Sequence, residues 1–503
     1  GETGPGEGVT EGGPTLRSWG VAAQLAALRS RRSRAVGDLR DLERLCRWVG
    51  ERGGDLVALL PLLPTFNTGA SPEPSPYACV SRLFWSELML DLGEAHRPLG
   101  EVPALDVRRA DAEVRAALAG RAPPGEALAD PELRRYARFR GASARLGRNW
   151  RAWPQPAREG RLRDADVDAE EERFHLVAQV EARRQLDEFG ARLGGGPVRL
   201  GLDLAVGVHP DGYDTWSRPA LFAHGMGVGA PPDPGFPSGQ DWGFPPLHPS
   251  ASRREGHRYL AACIAHQASL AGVLRVDHVM AWSRLYWIPH GLGLQEGTYV
   301  SYPAEELFAV LTLESHRNRC EVVGEDLGTV PSEIREALPR HAIRGMYLAL
   351  FEATAPDAPA PTGAQVALIG THDTPTLSGW VEGIDIAERV RCGLLDEAAA
   401  PAEREARTAA VRGLAERVGG SPGDVPGLLE RLLAWLGRSP SPLVLLWLEE
   451  FWLERAPVNL PGTRSEDRPN WQRPMARLLD DFMADPEVRA RVDALREARR
   501  HAP

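Results

Sequence analysis

The chain has 503 residues, of which 43% are apolar and 25% charged, and its formal net charge at pH 7 is −10. These values predict a globular protein with a large core, and the negative charge argues against nucleic acid or a membrane surface as its main partner. All 59 residues counted as Lys or Arg are arginine. The chain therefore cannot hold pyridoxal phosphate on a lysine or supply the lysine of a P-loop or a kinase.

The N-terminal residues and the cysteines bear on the expected cellular location of the protein. Residues 1–14 are rich in glycine and are predicted to form a flexible tail without the features of a signal peptide. The chain starts without methionine, which leaves open that an N-terminal domain is missing. Five cysteines occur without a C-x-x-C pair, so neither a disulfide framework nor a zinc site is expected. We expect a cytoplasmic protein that does not bind membranes.

Eight short apolar runs recur along the chain, and most are unbroken, as is typical of strands buried on both faces. Helical patterns lie between them. The predicted elements, in chain order, are a strand at 20–25, a helix at 38–49, a strand at 55–62, a helix at 173–193, a strand at 197–206, a helix at 255–270, a strand at 271–279, a helix at 304–318, a strand at 320–327, a helix at 331–339, strands at 343–351, 365–371 and 441–451, and a helix at 472–499. This alternation predicts an α/β fold, a parallel (β/α)8 TIM barrel.

Three segments are too long for simple connections in a barrel that we expect to form one catalytic domain over residues 15–503. Residues 100–165 and 381–438 are rich in Ala, Arg and Glu at helical spacing and are predicted to be helical insertions. Half of the residues in segment 224–249 are glycine or proline, a composition that we expect to prevent both helix and strand. Its three large aromatic residues predict an ordered lid loop at the C-terminal face of the strands. They are Phe236, Trp242 and Phe244.

Polar residues follow the apolar runs at the edge where a (β/α)8 barrel places its active site. This edge, formed by the C-terminal ends of the barrel strands, is termed the rim. The polar residues at the predicted rim are Ser75 and Tyr77, Asp203, Arg275 with Asp277 and His278, Glu325 with Asp326, His372 with Asp373, and Asn459. Carboxylates from several strands supply the groups needed for acid, base and nucleophile chemistry.

Each of these residues also has a purely structural explanation. Arg275 and Asp277 could form an ion pair, and the acidic residues after the fifth and seventh strands could cap turns or helices. Capping does not explain, however, why several acidic groups share one rim. Metal-dependent hydrolysis is a rival interpretation because His278, His372 and the carboxylates can bind metals. The sequence contains neither H-x-H nor H-x-x-x-H, so we expect no metal and no other cofactor.

Several segments, in this order along the chain, resemble the 4-alpha-glucanotransferases, also called amylomaltases or disproportionating enzymes, which are retaining enzymes of the α-amylase clan. The similarity runs from about residue 18 to residue 482. Its segments are WGVAAQLAALRS (19–30), SPYACVSR (75–82), DLAVGVHPDGYDTW (203–216), GAPPDPGFPSGQDWG (229–243), RVDHVMAW (275–282), VVGEDLGTVP (322–331), GTHDTPTLSGW (370–380) and NLPGT followed by PNW (459–471).

The resemblance implies a role for each matching residue. Asp277 would be the nucleophile, Glu325 the general acid/base, and Asp373 the carboxylate that binds sugar hydroxyls and favours the distorted transition state. A retaining mechanism needs one ionised and one protonated carboxyl about 5 to 5.5 Å apart. Arg275 would keep Asp277 charged, while a poorly solvated Glu325 would hold its proton. The remaining residues implied to bind substrate are Ser75, Tyr77 (stacking on the sugar ring), Asp203, Gln240, Trp242, Arg275, His372 and Asn459.

The implied reaction transfers an α-1,4-glucan segment, through a covalent intermediate on Asp277, to the 4-hydroxyl of another glucan or glucose. The expected partners are α-1,4-glucans, including maltooligosaccharides, amylose, glycogen and starch. Two alternatives stay open: an α-glucan hydrolase of the same clan, in which water resolves the intermediate, and a catalytically inactive maltodextrin-binding protein. The sequence leaves the oligomeric state and the donor and acceptor lengths open.

Overall fold

A computed structural model of the protein describes residues 17–32, 34–68, 73–93, 104–232 and 239–501. The predicted tail at residues 1–14 and the predicted lid residue Phe236 lie outside these residues. The strands of the described part, in chain order, are β1 (Ser18–Ala23), β2 (Leu56–Leu59), β3 (Arg199–Leu204), β4 (Met226–Ala230), β5 (Gln240–Asp241), β6 (Val273–Val276), β7 (Arg284–Pro289), β8 (Thr298–Ser301), β9 (Glu321–Gly324), β10 (Ile343–Leu348), β11 (Gln365–Leu368) and β12 (Leu443–Trp447).

Eight of the described strands close a parallel barrel in the order β1-β12-β11-β10-β9-β6-β3-β2. Each of the eight apolar runs in the sequence contains or overlaps one of these strands, so the predicted (β/α)8 fold is confirmed. The barrel interior is filled by side chains from several strands, including Leu56, Val273 and Val366. This packed layer leaves the C-terminal strand ends as the place where polar groups collect.

Helices surround the barrel. Within the described residues they are α1 (Leu39–Glu51), α2 (Val107–Leu118), α3 (Gly125–Ala129), α4 (Pro131–Leu146), α5 (Gln155–Arg158), α6 (Ala169–Leu193), α7 (Tyr213–Ser217), α8 (Pro249–Arg254), α9 (Arg258–Ala268), α10 (Ala304–Asn318), α11 (Ser332–Arg340), α12 (Ala349–Glu352), α13 (Leu377–Glu382), α14 (Ile384–Arg391), α15 (Ala400–Val418), α16 (Val425–Arg438), α17 (Leu479–Phe482) and α18 (Pro486–Arg500). Helices α2 to α5 and α14 to α16 occupy the two segments read as helical insertions. None of the helices in the described ranges is long and apolar enough to cross a membrane.

Arginine carries the charge that fastens these helices to one another and to the barrel loops. Arg407 of α15 donates to both carboxylate oxygens of Asp385 in α14, at 2.7 and 2.8 Å. Arg468, in the loop after β12, reaches Glu388 of α14 at 3.0 Å. Planar guanidinium groups suit such two-point contacts with carboxylates. A chain that has arginine and no lysine can therefore still form ion pairs between its helices and loops.

The prediction that segment 224–249 excludes strand is wrong. It contains β4 and β5, which form a second sheet with β7 and β8 in the order β5-β4-β7-β8. Glycine makes this pairing possible: a Cβ on Gly229 would lie 1.9 Å from the backbone oxygen of Gln240. The sheet brings the end of the segment beside the barrel. Residues 233–238, in the middle of the segment, lie outside the described residues.

The helix predicted over residues 472–499 is also wrong in its first part. The only helix before Pro486 in this described segment is the short α17, and the long helix α18 begins at Pro486. The backbone N–H groups of Met475 and Leu479 donate to the carbonyls of Ala27 and Arg29, in the loop after β1. These long-range bonds compete with the helical pattern, and Pro474 lacks the N–H that a helix interior needs.

Candidate active site

The rim of the barrel brings together the acidic residues singled out in the sequence. Asp203 lies in β3 and is paired in register with Arg275 of the neighbouring strand β6. Asp277 follows β6 directly, Glu325 follows β9 directly, and Asp373 lies five residues beyond the end of β11. Because parallel strands all end at the same face, residues distant in sequence become neighbours here.

Arg275 is the centre of this arrangement. Its Nη1 donates to both carboxylate oxygens of Asp203, at 2.8 and 2.6 Å, and to Oδ1 of Asp277 at 3.0 Å. Burial raises the pKa of Asp203 to about 6, although the positive charge of Arg275 opposes that rise. Burial alone would lower the pKa of Arg275, but Asp203, Tyr77 and Asp277 together raise it well above its usual value. The guanidinium therefore stays charged beside Asp277.

Tyr77 lies deep in the site, with 8% of its surface exposed. Its hydroxyl donates to Oδ2 of Asp203 at 2.8 Å and lies 3.0 Å from Nε2 of His372. The phenol ring stacks on the His372 ring with centroids 5.3 Å apart. Burial raises the pKa of Tyr77 well above its usual value, so the hydroxyl remains a hydrogen-bond donor. The stacking of Tyr77 on a sugar stays a prediction.

Asp373 is the most open of the three predicted catalytic carboxylates, with 42% of its side chain exposed. Asn459 donates its Nδ2–H to Oδ1 at 2.6 Å, and Nε2 of His372 lies 3.1 Å from Oδ2. Burial tends to raise the pKa of Asp373, but the contacts with His372 and Asn459 outweigh it and lower that pKa. An ionised, accessible carboxylate of this kind can accept hydrogen bonds from hydroxyl groups.

Glu325 is held by backbone donors on both of its oxygens. Oε2 accepts the N–H of His278 at 2.9 Å and Oε1 accepts the N–H of Leu327 at 2.8 Å. His278 has a left-handed backbone, with φ of 46°, and follows Asp277 directly. The residue after one predicted catalytic carboxylate thus fixes the side chain of the other. The neighbouring Asp326 has a structural task, because its Oδ1 accepts the N–H of Met346 at 2.7 Å.

Gln240 and Trp242 approach the same place from the small antiparallel sheet. The Trp242 ring meets the His278 ring edge to face, with centroids 5.0 Å apart. Nε1 of Trp242 lies 3.4 Å from Oε1 of Gln240, which is a long hydrogen bond. Ser75, by contrast, shapes its own loop, since its Oγ accepts the N–H of Tyr77 at 3.3 Å.

Sequence reasoning gave no role to Trp471, which the structure brings into this site. Its ring centroid lies 5.7 Å from that of Tyr77 and 5.5 Å from that of His372. The available signal was its place at the end of the segment PNW, in the same stretch as Asn459. In the described part of the chain, His, Cys, Asp and Glu side chains form no group of three or more suited to a metal ion.

Comparison with known proteins gives a consistent result. A model of the family described as 4-alpha-glucanotransferase matches residues 23–119 and 127–480. The 4-alpha-glucanotransferase of Mycobacterium tuberculosis (strain ATCC 25618 / H37Rv) is 32% identical over 551 residues, covering 96% of this chain and 75% of that protein. The 4-alpha-glucanotransferase of Haemophilus influenzae is 28% identical over 535 residues, covering 92% of this chain and 76% of that protein.

Solved structures agree with these sequence matches. The amylomaltase from Corynebacterium glutamicum is similar with a TM-score of 0.81 and 26% identity, covering 96% of this chain and 76% of that one. The amylomaltase from Streptococcus agalactiae, solved in complex with acarbose, has a TM-score of 0.77 and 17% identity over 97% of this chain and 100% of that one. The latter likeness shows a shared fold.

Proposed function

The chain belongs to the 4-alpha-glucanotransferase family and is a glucan-transferring enzyme, and from this premise we propose that Asp277, Glu325 and Asp373 carry out the transfer. The observation that carries the proposal is a set of hydrogen bonds at the rim that links Asp277 and Glu325 through one short segment. Arg275 donates to Asp277, and the next residue, His278, donates its backbone N–H to Glu325. One short segment thereby holds both the proposed nucleophile and the proposed acid/base in place.

In the first step the Asp277 carboxylate attacks the anomeric carbon of the donor glucan. The bond from that carbon to the glycosidic oxygen breaks, and Glu325 gives its proton to the departing oxygen, which becomes the 4-hydroxyl of the leaving segment. A glycosyl ester remains on Asp277. Arg275 donates a hydrogen bond to Oδ1 of Asp277 and so orients this carboxylate for the attack.

In the second step Glu325, now ionised, takes the proton from the 4-hydroxyl of an acceptor glucan. The acceptor oxygen attacks the anomeric carbon and the ester bond to Asp277 breaks, so the configuration at that carbon is retained after two inversions. Asp277 and Glu325 return to their starting protonation states. Water can follow the same route, which gives hydrolysis as the competing outcome.

We propose that Asp373 binds the reacting sugar. Asp203, expected from the sequence to line a subsite, is instead buried, with 3% of its side chain exposed, and orients Arg275 and Tyr77. Asp373 is open to the cleft and ionised, so it can accept hydrogen bonds from ring hydroxyls that shorten as the sugar distorts toward the transition state. The substrates we propose are α-1,4-glucans, from maltooligosaccharides to starch or glycogen. We also propose a cytoplasmic location, which is supported by five cysteines that are all unpaired in the described structure.

Product analysis with maltotriose tests the reaction. Transfer predicts glucose together with a ladder of maltodextrins longer than maltotriose. Glucose and maltose alone would show that water resolves the intermediate and would contradict transfer.

For the acid/base role, the variant Glu325→Gln with an α-glycosyl fluoride donor should accumulate the ester on Asp277, because fluoride leaves without a proton. Mass spectrometry detects that ester, and its absence contradicts the assignment.

A further inference from the structure

Trp471 has a backbone conformation that large side chains seldom adopt. Its φ is +65°, in the left-handed region that favours glycine. A bulky residue keeps such a conformation only where its surroundings over-determine it, and residues of this kind cluster at functional sites. The contacts of Trp471 therefore indicate what the strained backbone achieves.

The backbone of Trp471 is held on both sides. Its N–H donates to the carbonyl of Val458 at 3.2 Å, and its carbonyl accepts Nε2–H of the buried Gln24, just after β1, at 2.9 Å. The preceding Asn470 accepts the N–H of Leu460 at 3.1 Å. These bonds join the two ends of the loop at residues 457–471 and fix it to the barrel.

The side chain of Trp471 reaches a different part of the site. Trp471 is 8% exposed, and its indole packs against the rings of both Tyr77 and His372. Those two side chains bond each other, and they contact Asp203 and Asp373 respectively. Without the indole, space would open behind both rings and their orientation would be lost.

Trp471 thus supports two carboxylates of the rim, Asp203 and Asp373, in two separate ways. Its backbone N–H fixes Val458, the neighbour of Asn459, which donates to Asp373. Its ring supports Tyr77 and His372, which contact Asp203 and Asp373. We propose that Trp471 is a positioning residue that sets Asn459, His372 and Tyr77 against the two carboxylates, at the cost of a strained backbone. This inference rests on the proposed function of that site.

Two substitutions separate the ring from the backbone. Trp471→Gly relieves the strain and removes the ring, and Trp471→Phe keeps an aromatic ring on the strained backbone. With maltotriose we expect Trp471→Gly to lower kcat by about 100-fold with KM within about threefold of the original, because orientation matters most in the transition state. Trp471→Phe should recover most of that loss and stay about threefold to tenfold below the original enzyme.

Trp19→Phe is the matched control. Trp19 is 1% exposed and lies at the N-terminal end of β1, away from the rim. Its variant should lose stability but keep the original kcat per folded molecule. A kcat for Trp471→Gly within about threefold of the original overturns the inference. If that variant does not fold, Trp471→Phe decides, and a kcat equal to that of Trp19→Phe overturns it. Activity in Asp277→Asn would instead contradict the proposed function, whatever Trp471 does.

Discussion

The barrel rim and the small antiparallel sheet meet at His278, yet they hold their side chains in different ways. On the rim, Asp203 accepts hydrogen bonds from both Arg275 and Tyr77, and Arg275 also binds Asp277. On the sheet, Trp242 contacts His278 by its edge and Gln240 by one long hydrogen bond. Groups that meet the reacting atoms need a fixed orientation. We propose that Trp242 recognises a flat sugar face by shape, and such a contact needs a less rigidly fixed side chain.

The largest expected effect follows from Asp277→Asn, which replaces the proposed nucleophile of the rim. An amide cannot attack the anomeric carbon, so the rate should fall by about 10⁴-fold or more, while thermal unfolding should change little because Asn keeps the size of the side chain. Turnover of maltotriose and a melting curve measure both. A folded variant with more than about a tenth of the original activity contradicts the nucleophile assignment.

Asp203→Asn tests the hydrogen bonds that hold Arg275 and Tyr77 at the rim, rather than the proposed nucleophile. Asn accepts fewer charge-assisted hydrogen bonds, so Arg275 and Tyr77 lose part of their anchor, and we expect kcat to fall by about 100-fold. The matched control is Asp326→Asn, which lies next to Glu325 and accepts the N–H of Met346 outside the network of Arg275. Equal kcat values for the two variants would show that the rim network does not act on turnover.

Trp242→Ala tests the sheet side of the comparison, where we predict a lid over the acceptor. The ester on Asp277 should form at nearly the original rate, while the acceptor KM should rise about fivefold to tenfold, since stacking on one aromatic ring contributes roughly 1 to 1.4 kcal/mol. Products should shift toward free glucose, because water then competes better. Tyr299→Ala, on β8 at the far edge of the same sheet and 45% exposed, is the control. An unchanged ratio of transfer to hydrolysis contradicts the lid.

The smallest expected effect on turnover comes from Glu450→Gln, behind the rim. Glu450 is buried and accepts the N–H of Leu377, and burial raises its pKa from an ordinary 4.5 to about 8. A raised folded pKa stabilises the protein fully below pH 4.5, and this contribution is lost as pH rises toward 8. The original protein should therefore lose on the order of 3 to 5 kcal/mol of stability over that range relative to Glu450→Gln. Parallel stability curves for the two proteins between pH 5 and 8 contradict this.

Sequence alone was sufficient for the barrel because its signal is local. Unbroken apolar runs mark strands buried on both faces, and the residues that close those runs reach one rim by geometry. The small sheet was not predicted because glycine is also common in loops. Gly227 and Gly229 permit close strand pairing, but in the sequence they indicate a loop equally well. Trp471 escaped for another reason: its partners Tyr77 and His372 lie far away in sequence, and only the closed barrel brings them together.

The arginine-only ion pairs have a chemical consequence for an enzyme of this family. Glucan chains end in a sugar that opens to an aldehyde, and aldehydes condense slowly with unprotonated primary amines. A sequence without lysine has no side-chain amine to undergo that reaction, and the guanidinium groups that replace it remain protonated near neutral pH. Contacts such as those of Arg275, Arg407 and Arg468 should therefore resist glycation during long exposure to concentrated maltodextrins.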